Sequence, residues 1–395
     1  MKILMINSVC GMRSTGRICT DMAVALEAQG HEVKIAYGRE SVPEQYKRFS
    51  IRIGNDVTVK MHGVLSRIFD ADGRGSILAT RQFIAWVEEY DPDVVHLHNI
   101  HGYYINHKIL FDYLKKTQKK VVWTFHDIWP MTGHGCICEG IKCNKWETGC
   151  GTCPGKRNYP GTIIDRSKEN YKRKKKLFNS VDNLSIITPS KWLASLVKRS
   201  FLKEHKVEVI PNGIDTDVFK ETASTIKARY NIEEKKLLLG CATWWTQGKG
   251  LYDFYKMSEL LNDDYVIMLV GLSKEQIDKL PGNIIGIERT NNVQELVQLY
   301  SAADLLINPT YIDNYPTVNL EALACGTPVI TYKTGGSAEC LDGVNGKAFE
   351  QGDIDGIVHF LNNQYHDGFF YVNSNSRFSK KTFCDRYISV YSNLL

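Results

Sequence analysis

The sequence lacks several features that would assign its class directly. No uninterrupted apolar run approaches the roughly 18–20 residues that a membrane-spanning helix needs. The first residues, MKILMINSV, are apolar, but no small-residue cleavage site follows them, so they predict a buried first strand and not a signal peptide. Repeats of solenoid period and low-complexity tracts are also missing. These absences favour a globular chain, which we expect to be cytoplasmic and to keep its thiols reduced.

Length and charge narrow the class further. With 395 residues, the chain exceeds what one hydrophobic core usually organises, so we expect two domains. Residues 1–215 carry 33 Lys and Arg against 22 Asp and Glu, a net charge of +11, whereas the remainder carries 16 against 22, a net charge of −6. A basic half beside an acidic half indicates an anionic partner for one half. An anionic lipid surface, a phosphate-linked substrate and a nucleic acid all fit this pattern.

Strand and helix patterns alternate along nearly the whole chain, which predicts an α/β architecture with parallel sheets. The predicted strands form two series: residues 2–6, 32–37, 94–98, 120–125, 184–189 and 207–211, followed by residues 236–243, 265–271, 284–288, 305–310 and 327–332. Two such series predict two Rossmann-like, doubly wound domains facing across a cleft. We expect the first domain at 1–215, with a cysteine-rich insert at 134–153, and the second at 216–375. Ligands of such sheets bind beyond the carboxyl ends of the strands, so the strand-to-helix turns are the informative places.

The turn after the first strand carries two glycines, Gly11 and Gly16. Glycines there permit an anion to approach the backbone closely. Their spacing is not that of the G-x-G-x-x-G dinucleotide fingerprint, and a plain loop is an equal alternative.

Histidines mark the ends of two further strands in the first domain. His126 follows an apolar strand just before Asp127. His98 ends the preceding strand, and His101 comes shortly after it, along the same predicted edge. An imidazole in such a position can donate a hydrogen bond to a substrate hydroxyl or to developing charge. A buried structural histidine is the alternative at each position.

In the second domain, Lys249 lies between two glycines just before a helix pattern, in TQGKGLYDF. A lysine beside a glycine-rich helix start is suited to anchor a phosphate, because its compact charge adds to free backbone N–H donors. The alternative is a solvated lysine in a surface turn.

Two acids in the segment PTYIDNYPTVNLEALACGTPVI form the most specific pattern. Asp313 lies in a predicted loop, and Glu321 follows after seven intervening residues, in the first turns of a predicted helix. Carboxylates accept hydrogen bonds from sugar and ribose hydroxyls, and loop amides can hold a diphosphate. Either acid could instead be an exposed surface residue.

Together these motifs resemble the retaining glycosyltransferase family 4. The acid-x7-Glu pattern, the KG of TQGKG, the GG-x-x-E of GGSAE, the segment IPNGID and the N-terminal glycine turn are all similar to the family. The segment WTFHDIWPMTGHGC with the later cysteines resembles a subgroup that builds colanic-acid-type and capsular polysaccharides. The resemblance covers nearly the whole chain and implies a GT-B fold. In that fold the second domain binds a sugar nucleotide, the first receives the acceptor, and a C-terminal helix, here 376–395, crosses back to the first domain.

The resemblance also implies roles for matching residues. Lys249 is expected to bind the donor diphosphate, Glu321 the ribose hydroxyls and Asp313 the donor sugar, while Gly16 approaches the phosphates and His126 lies at the reaction centre. The expected catalytic residues are His126, Lys249 and Asp313; the donor-binding residues are Gly16, Lys249, Arg289, Asp313, Asn314, Thr317, Val318 and Glu321; and the acceptor-side residues are His98, His101 and Asp127.

Two positions depart from the family pattern. Trp244 stands where the family often has an arginine, so Arg289 or helix N–H groups would have to compensate for the missing cation. Asp313 stands where glutamate is common, which leaves the identity of the donor sugar open.

The resemblance implies transfer of a sugar, with retention, from a UDP- or GDP-sugar to a growing, lipid-linked surface polysaccharide, with no catalytic metal. A glycosidase has less support, because no second pair of carboxylates is evident. A catalytically silent sugar-nucleotide-binding protein is one alternative, and a zinc-containing nucleic-acid-binding protein is a weaker one; we expect no nucleic-acid partner.

A basic run, SKENYKRKKKLF, predicts a helix with six cations: Lys168, Lys172, Arg173, Lys174, Lys175 and Lys176. Each Lys or Arg near an anionic leaflet contributes on the order of 1 kcal/mol of binding free energy. We therefore expect peripheral binding at the inner face of the cell membrane, with a solvated helix face as the alternative.

Five cysteines lie within HGCICEGIKCNKWETGCGTC. Cys136, Cys143, Cys150 and Cys153 can close tetrahedrally on a structural zinc, and Cys138 can replace Cys136. Reduced cysteines packed in a loop and a disulfide are the alternatives. A catalytic metal is disfavoured, because four thiolates leave no open coordination position.

Overall fold

Two parallel sheets organise the chain in the computed structural model, which describes residues 1–136, 138–372 and 378–394. Unit 1 comprises residues 1–211 together with the residues from Cys384 onward, and unit 2 comprises Asn212–Phe383. Each unit surrounds its own sheet with helices, as the alternating pattern predicts.

The sheet of unit 1 has a Rossmann-like order. Its strands are β1 (Lys2–Ile6), β2 (Glu32–Tyr37), β3 (Ser50–Arg52), β4 (Val94–Leu97), β5 (Lys120–Thr124), β6 (Leu184–Thr188) and β7 (Lys206–Val209). They pair in parallel in the order β3-β2-β1-β4-β5-β6-β7. Its helices are α1 (Arg13–Ala28), α2 (Asp56–Phe69), α3 (Ile77–Tyr90), α4 (His107–Thr117), α5 (Ser167–Phe178) and α6 (Lys191–Arg199). The strand order reverses between β1 and β4, so the turns after these strands flank the switch point at which α/β sheets bind ligands.

Unit 2 repeats this design with fewer strands. Its strands are β8 (Lys236–Cys241), β9 (Tyr265–Val270), β10 (Ile284–Ile287), β11 (Leu305–Asn308), β12 (Val329–Tyr332) and β13 (Gly346–Phe349), in the parallel order β10-β9-β8-β11-β12-β13. Its helices are α7 (Ile226–Arg229), α8 (Leu251–Leu260), α9 (Lys274–Ile277), α10 (Val293–Ala302), α11 (Thr317–Ala324) and α12 (Ile354–Asn363). Here the order reverses between β8 and β11.

All eleven strands predicted from the sequence are present, with ends that differ by two residues at most. Their continuous apolar runs are typical of strands covered on both faces. The two strands that the sequence pattern misses are short and lie at sheet edges. β3 has three residues, and β13 contains Gly346 and Lys347, which are poor strand formers.

The last helix, α13 (Lys380–Leu394), packs onto the unit 1 sheet from Cys384 onward. The buried His96 imidazole bonds through Nδ1 to the Tyr391 hydroxyl (2.6 Å) and through Nε2 to the Thr124 hydroxyl (2.8 Å). The Thr124 hydroxyl also pairs with the Tyr387 hydroxyl at 2.8 Å. A buried polar chain therefore ties β4 and β5 to the C-terminal helix, and His96 is a structural histidine.

Among the residues that the structure describes, none of the helices combines the length and the apolar character that crossing a bilayer requires.

Buried neutral histidines make the stability of the protein sensitive to acid. Burial lowers the pKa of His96 to about 3 and that of His126 to about 4, and it holds the pKa values of His98 and His107 well below the usual range. The unfolded chain binds protons at these groups below about pH 6.5, whereas the folded chain does not until a much lower pH. The free energy of unfolding therefore falls as the pH drops from about 6.5 toward 4.

The substitution His96→Gln should reduce this dependence by up to about 1.4 kcal/mol per pH unit, since one titrating group is removed. The exposed His366 provides the matched control, and His366→Gln should follow the wild-type slope. Denaturant unfolding monitored between pH 7 and pH 5 gives these slopes. Equal slopes for the wild type and His96→Gln would contradict the assignment.

Candidate functional site

Lys249 and Asp313 meet at the switch point of unit 2. Lys249 ends the short turn Gln247–Lys249 after β8, and Asp313 lies in the loop after the neighbouring strand β11. The Lys249 ammonium donates to Asp313 Oδ2 at 2.6 Å, and the lysine side chain keeps 39% of its surface exposed. The structure thus brings together a phosphate-anchoring cation and a hydroxyl-binding acid that lie 64 residues apart in sequence.

A glycine permits this close approach of the two loops. Gly250 has φ +75°, and a Cβ added there would lie 2.3 Å from the Pro309 carbonyl oxygen. Such a distance excludes any side chain unless the backbone moves. The Tyr311 amide also donates to the Gly248 carbonyl at 3.0 Å. The sequence motif QGKG therefore requires its second glycine for packing against the loop that carries Asp313.

The first turn of α11 presents backbone donors to the same loop. The residue before the helix is Pro316, which supplies no capping side chain. The first amides of a helix have no intrahelical acceptor, and the positive end of the helix dipole favours anions there. Thr317 and Val318 are half-buried at this end, and Asn314 lies in the preceding loop. These residues can bind an anionic group with backbone N–H donors.

Glu321 lies one turn further along α11 and is buried. Its Oε2 accepts a hydrogen bond from the Tyr300 hydroxyl at 2.9 Å. Tyr300 belongs to α10 and is itself fully buried, and burial holds its pKa well above the usual range, so it remains a donor. Sequence reasoning found Glu321 but missed Tyr300, because their proximity arises only from the packing of α10 against α11.

A buried polar network supports the loops around this site. The Asn308 amide donates to Asn319 Oδ1 at 2.7 Å, and the Asn319 amide donates to the Ser337 carbonyl at 3.0 Å. The Ser337 and Thr331 hydroxyls pair at 2.6 Å. All four residues are buried, and they connect the ends of β11 and β12 to α11. Polar residues that interrupt the apolar runs LLINPT and TPVITYKTGG are the sequence signal that could have identified this network.

Arg289 and Trp244, the two positions linked with the arginine that the family pattern leads one to expect, do not join the cluster of Lys249 and Asp313. Arg289 is exposed beyond β10, which lies two strands from β8, and it forms no ion pair within the part of the chain that the structure describes. Trp244 is 75% exposed, whereas the next residue, Trp245, is buried and donates to the Val270 carbonyl at 2.8 Å. Lys249 is therefore the cation that the structure brings next to Asp313.

In unit 1, His98 and His126 pair at the carboxyl ends of β4 and β5. His98 Nδ1 lies 3.0 Å from His126 Nε2, and the two rings stack with centroids 5.3 Å apart. Burial lowers the pKa of His126 to about 4 and that of His98 well below its usual range. Both rings are therefore neutral near pH 7, so one ring donates to the other and His126 acts as a neutral hydrogen-bonding group.

His101 and Asp127 form a second pair at the same edge. His101 Nε2 lies 3.1 Å from Asp127 Oδ2, and Asp127 Oδ1 accepts from the Trp129 amide at 2.8 Å. Burial acts to raise the pKa of Asp127, but the charge and hydrogen bond of His101 and the Trp129 amide outweigh it, so that pKa lies below its usual range. All the acceptor-side candidates thus lie at the carboxyl ends of the neighbouring strands β4 and β5.

Gly16 packs inside unit 1. It lies within α1 and is buried, and a Cβ there would lie 3.0 Å from Val9 Cγ2 and 3.2 Å from the Gly11 nitrogen. The Gly11 amide donates to the Gly16 carbonyl at 3.1 Å. The close contacts with Val9 and Gly11 are sufficient to explain why a residue without a side chain stands at position 16.

The cysteine-rich insert divides into two parts. Cys136 lies beside His101 and Asp127, and one potential ligand atom from each of the three falls within 4.8 Å of the others. The remaining cysteines, Cys138, Cys143, Cys150 and Cys153, lie in the following turns, and none of the five is in a disulfide. Cys136 thus has two potential metal ligands other than cysteine beside it.

Both halves of the chain match known glycosyltransferase families. Residues 15–218 match the family described as Glycosyltransferase Family 4, and residues 235–367 match Glycosyl transferases group 1. The putative colanic acid biosynthesis glycosyl transferase WcaC of Escherichia coli is 25% identical, with all of both chains covered. A D-inositol 3-phosphate glycosyltransferase of Mycobacterium sp. (strain KMS) is 37% identical over 40% of this chain and 38% of its own.

Solved structures show the same fold. Anabaena Alr3699/HepE in complex with UDP and glucose has a TM-score of 0.69 at 16% identity, with 100% of both chains covered. Sucrose-phosphate synthase of Thermosynechococcus elongatus has a TM-score of 0.70 at 15% identity, over 100% of this chain and 98% of its own. These neighbours confirm the GT-B fold that the sequence motifs imply. With its first family match extending over more than half of its residues, the chain belongs to glycosyltransferase family 4.

Proposed function

We propose that the protein transfers a sugar from a nucleotide-sugar donor to a lipid-linked polysaccharide acceptor, with retention of anomeric configuration and without a catalytic metal. The observation that carries the donor assignment is the cluster of Lys249, Asp313, Glu321 and the uncapped start of α11 at the switch point of unit 2. HepE is a structural neighbour solved with UDP and with UDP-glucose, so uridine diphosphate sugars are the first donors to test.

The donor cluster suits the departure of a diphosphate. Breaking the sugar–phosphate bond builds negative charge on the diphosphate, which Lys249 and the amides of α11 would stabilise from fixed positions. In the free protein the Lys249 ammonium is held by Asp313. A bound diphosphate would attract Lys249 with greater charge, which would release the Asp313 carboxylate to accept hydrogen bonds from sugar hydroxyls. Glu321, oriented by Tyr300, would accept from the ribose.

The proposed site supplies one cation, Lys249, and backbone N–H donors to the leaving group, so we propose that no metal is needed to stabilise the negative charge of the leaving diphosphate. Retention would follow if the leaving phosphate oxygen accepts the proton of the acceptor hydroxyl on the same face of the sugar. His126 is neutral near pH 7 and would orient a hydroxyl by hydrogen bonding rather than by charge. Proton NMR of the product would report its anomeric configuration, and turnover should be independent of added Mg²⁺ or Mn²⁺.

The polarity of helix α2 is the argument for an acceptor at a membrane. α2 buries polar residues, His62 and Ser66, and exposes apolar ones. The exposed side chains on α2, with their exposed fractions, are Val57 (64%), Met61 (63%), Val64 (56%), Leu65 (44%), Ile68 (36%) and Phe69 (39%). Leu78 of α3 (73%) and Ile163 (71%) are exposed as well, and the Ile163 amide is bonded to the Arg67 carbonyl at 2.8 Å. We name these eight residues the α2 apolar surface.

The basic residues beside the α2 apolar surface indicate what binds to it. The exposed Lys60 and Arg67 lie on α2 itself, and the Arg166 guanidinium lies 5.8 Å from the Phe69 ring centroid. Apolar side chains flanked by cations are the composition of helices that lie in the interface of an anionic bilayer. We therefore propose that the α2 apolar surface contacts the lipid surface that carries the acceptor.

The basic helix α5 exposes fewer cations for membrane binding than its sequence indicates. Lys174 is buried, donates to the Trp129 carbonyl at 2.8 Å and lies 3.4 Å from the Trp129 ring centroid. Arg173 turns inward to the carbonyls of Asp72 and Gly73. Four of the six cations remain exposed: Lys168, Lys172, Lys175 and Lys176. These four can add to membrane attraction but do not form a six-cation face.

Replacement of Lys249 by Ala should weaken binding of a UDP-sugar about 10- to 100-fold, because one charge-assisted hydrogen bond to the diphosphate is lost. Isothermal titration measures this effect, after a thermal-shift panel of UDP- and GDP-sugars has identified the donor. The matched control is Lys256→Ala, since Lys256 is exposed in the same unit and pairs with Asp355. Equal donor affinity in wild type and Lys249→Ala would refute the donor site. Donor binding without transfer to any acceptor would favour a catalytically silent protein.

The double substitution Val64→Asp with Leu65→Asp should abolish most flotation with vesicles that contain anionic lipid, since it places charge on the α2 apolar surface. The matched control is Val24→Asp, on an exposed apolar residue of α1 (39%). Donor affinity should stay unchanged in both variants, which separates this prediction from the donor site. Flotation that is unaffected by the double substitution would argue against the proposed membrane contact.

A further inference from the structure

We propose that Cys138, Cys143, Cys150 and Cys153 bind one structural zinc ion and that Cys136 is not a ligand. The proposal does not depend on the proposed reaction. It replaces the set predicted from spacing, in which Cys136 stood first and Cys138 was the alternative.

The segment that carries these cysteines lacks other means of support. Between Met131 and Ser167, the described residues contain two single-turn 3-10 helices, Glu139–Ile141 and Lys145–Glu147, and no strand or longer helix. Loops of this length without secondary structure are uncommon in compact domains unless a ligand, a cross-link or a function holds them. Trp146 is the buried aromatic anchor of the segment.

Two turns carry the four cysteines. The Cys143 amide donates to the Cys138 carbonyl at 3.0 Å, which closes the first turn. The second turn contains Cys150 and Cys153. The Lys145 ammonium stabilises this turn by donating hydrogen bonds to the carbonyls of Gly151 and Thr152, each at 3.1 Å.

The turns also pack against one another. A Cβ added to Gly155 would lie 2.8 Å from Ile141 Cδ1, so the end of the second turn touches the first. Cys143 and Cys150 both pack against the hydrophobic core that contains Cys136 and Cys138.

The Gly133 amide donates to Cys150 Sγ at 3.2 Å, so one of the four sulfur atoms already accepts a hydrogen bond from the backbone. Zinc binds the thiolate form, and on binding it would displace the thiol protons of the four cysteines.

Cys136 lies in the same hydrophobic core as Cys138, but its neighbouring potential ligands are His101 and Asp127. In the described residues, the one group of three potential ligand atoms that all lie within 4.8 Å of one another is that of His101, Asp127 and Cys136. The four proposed ligands must therefore move closer together to reach tetrahedral coordination, so zinc would tighten the loop.

Metal analysis of the full-length chain, purified with reductant and without chelator, tests the proposal. We expect about one zinc ion per chain, as for a closed four-thiolate site. Cys138→Ser and Cys150→Ser should each lower the zinc content at least about fivefold, since three thiolates hold zinc less tightly than four. Cys136→Ser, in the same loop, is the matched control and should keep the wild-type content.

A measurement on the wild-type chain covers the case in which a variant does not fold. Stepwise addition of a mercurial reagent should release the zinc as four thiols react, and cobalt substituted for zinc should show the absorption of tetrahedral thiolate coordination. The Cys136→Ser variant should keep that absorption. Absence of zinc from the reduced protein, or a disulfide within 138–153, would overturn the site. Loss of zinc in Cys136→Ser with retention in Cys138→Ser would overturn the choice of ligands.

Discussion

The contact between Gly250 and Pro309 is the constraint on which the proposed donor site depends. The two loops that follow β8 and β11 can approach each other only because position 250 has no side chain and adopts a left-handed backbone conformation. This approach sets Lys249 against Asp313 and leaves the start of α11 beside them. In the free protein, the Asp313 carboxylate therefore holds the Lys249 ammonium at the position where it would bind a diphosphate. The parallel sheet makes this arrangement possible, because the strand order reverses between β8 and β11.

Unit 1 uses the same topology for different chemistry. The ends of β4 and β5 carry neutral histidines, and desolvation keeps His98 and His126 uncharged near pH 7. A neutral imidazole can form a hydrogen bond with a hydroxyl without adding positive charge. Because burial keeps these rings neutral, we expect acid to destabilise the folded chain. The inverted polarity of α2 and the cysteine-rich loop add a lipid-facing surface and a cross-linked segment to the same unit, according to our proposals.

Much of the fold and part of the candidate site could be predicted from the sequence. Apolar runs identified eleven strands, and the rule that parallel strands bind ligands at their carboxyl ends drew attention to the turns that carry Lys249 and Asp313. The resemblance to family 4 implied that both residues bind the same donor. The remaining features depend on which side of a helix meets the core. Six cations on α5 look equivalent in sequence, yet Lys174 packs over Trp129 inside the protein. Tyr300 and Glu321 lie on different helices, and no local pattern connects them. Cysteine spacing could not show that Cys136 lies beside His101 and Asp127 either, because those contacts arise only when the ends of β4 and β5 meet in the sheet.

The most direct test of the account is amide hydrogen exchange of the whole chain with and without a saturating nucleotide sugar. If Lys249, Asp313 and the start of α11 form the donor site, the bound donor should slow exchange in peptides covering residues 246–251 and 313–321. The short helix α9 (Lys274–Ile277), in the same unit, should show no change. If a donor that binds measurably leaves both segments unchanged, or protects only peptides of unit 1, the central claim is wrong.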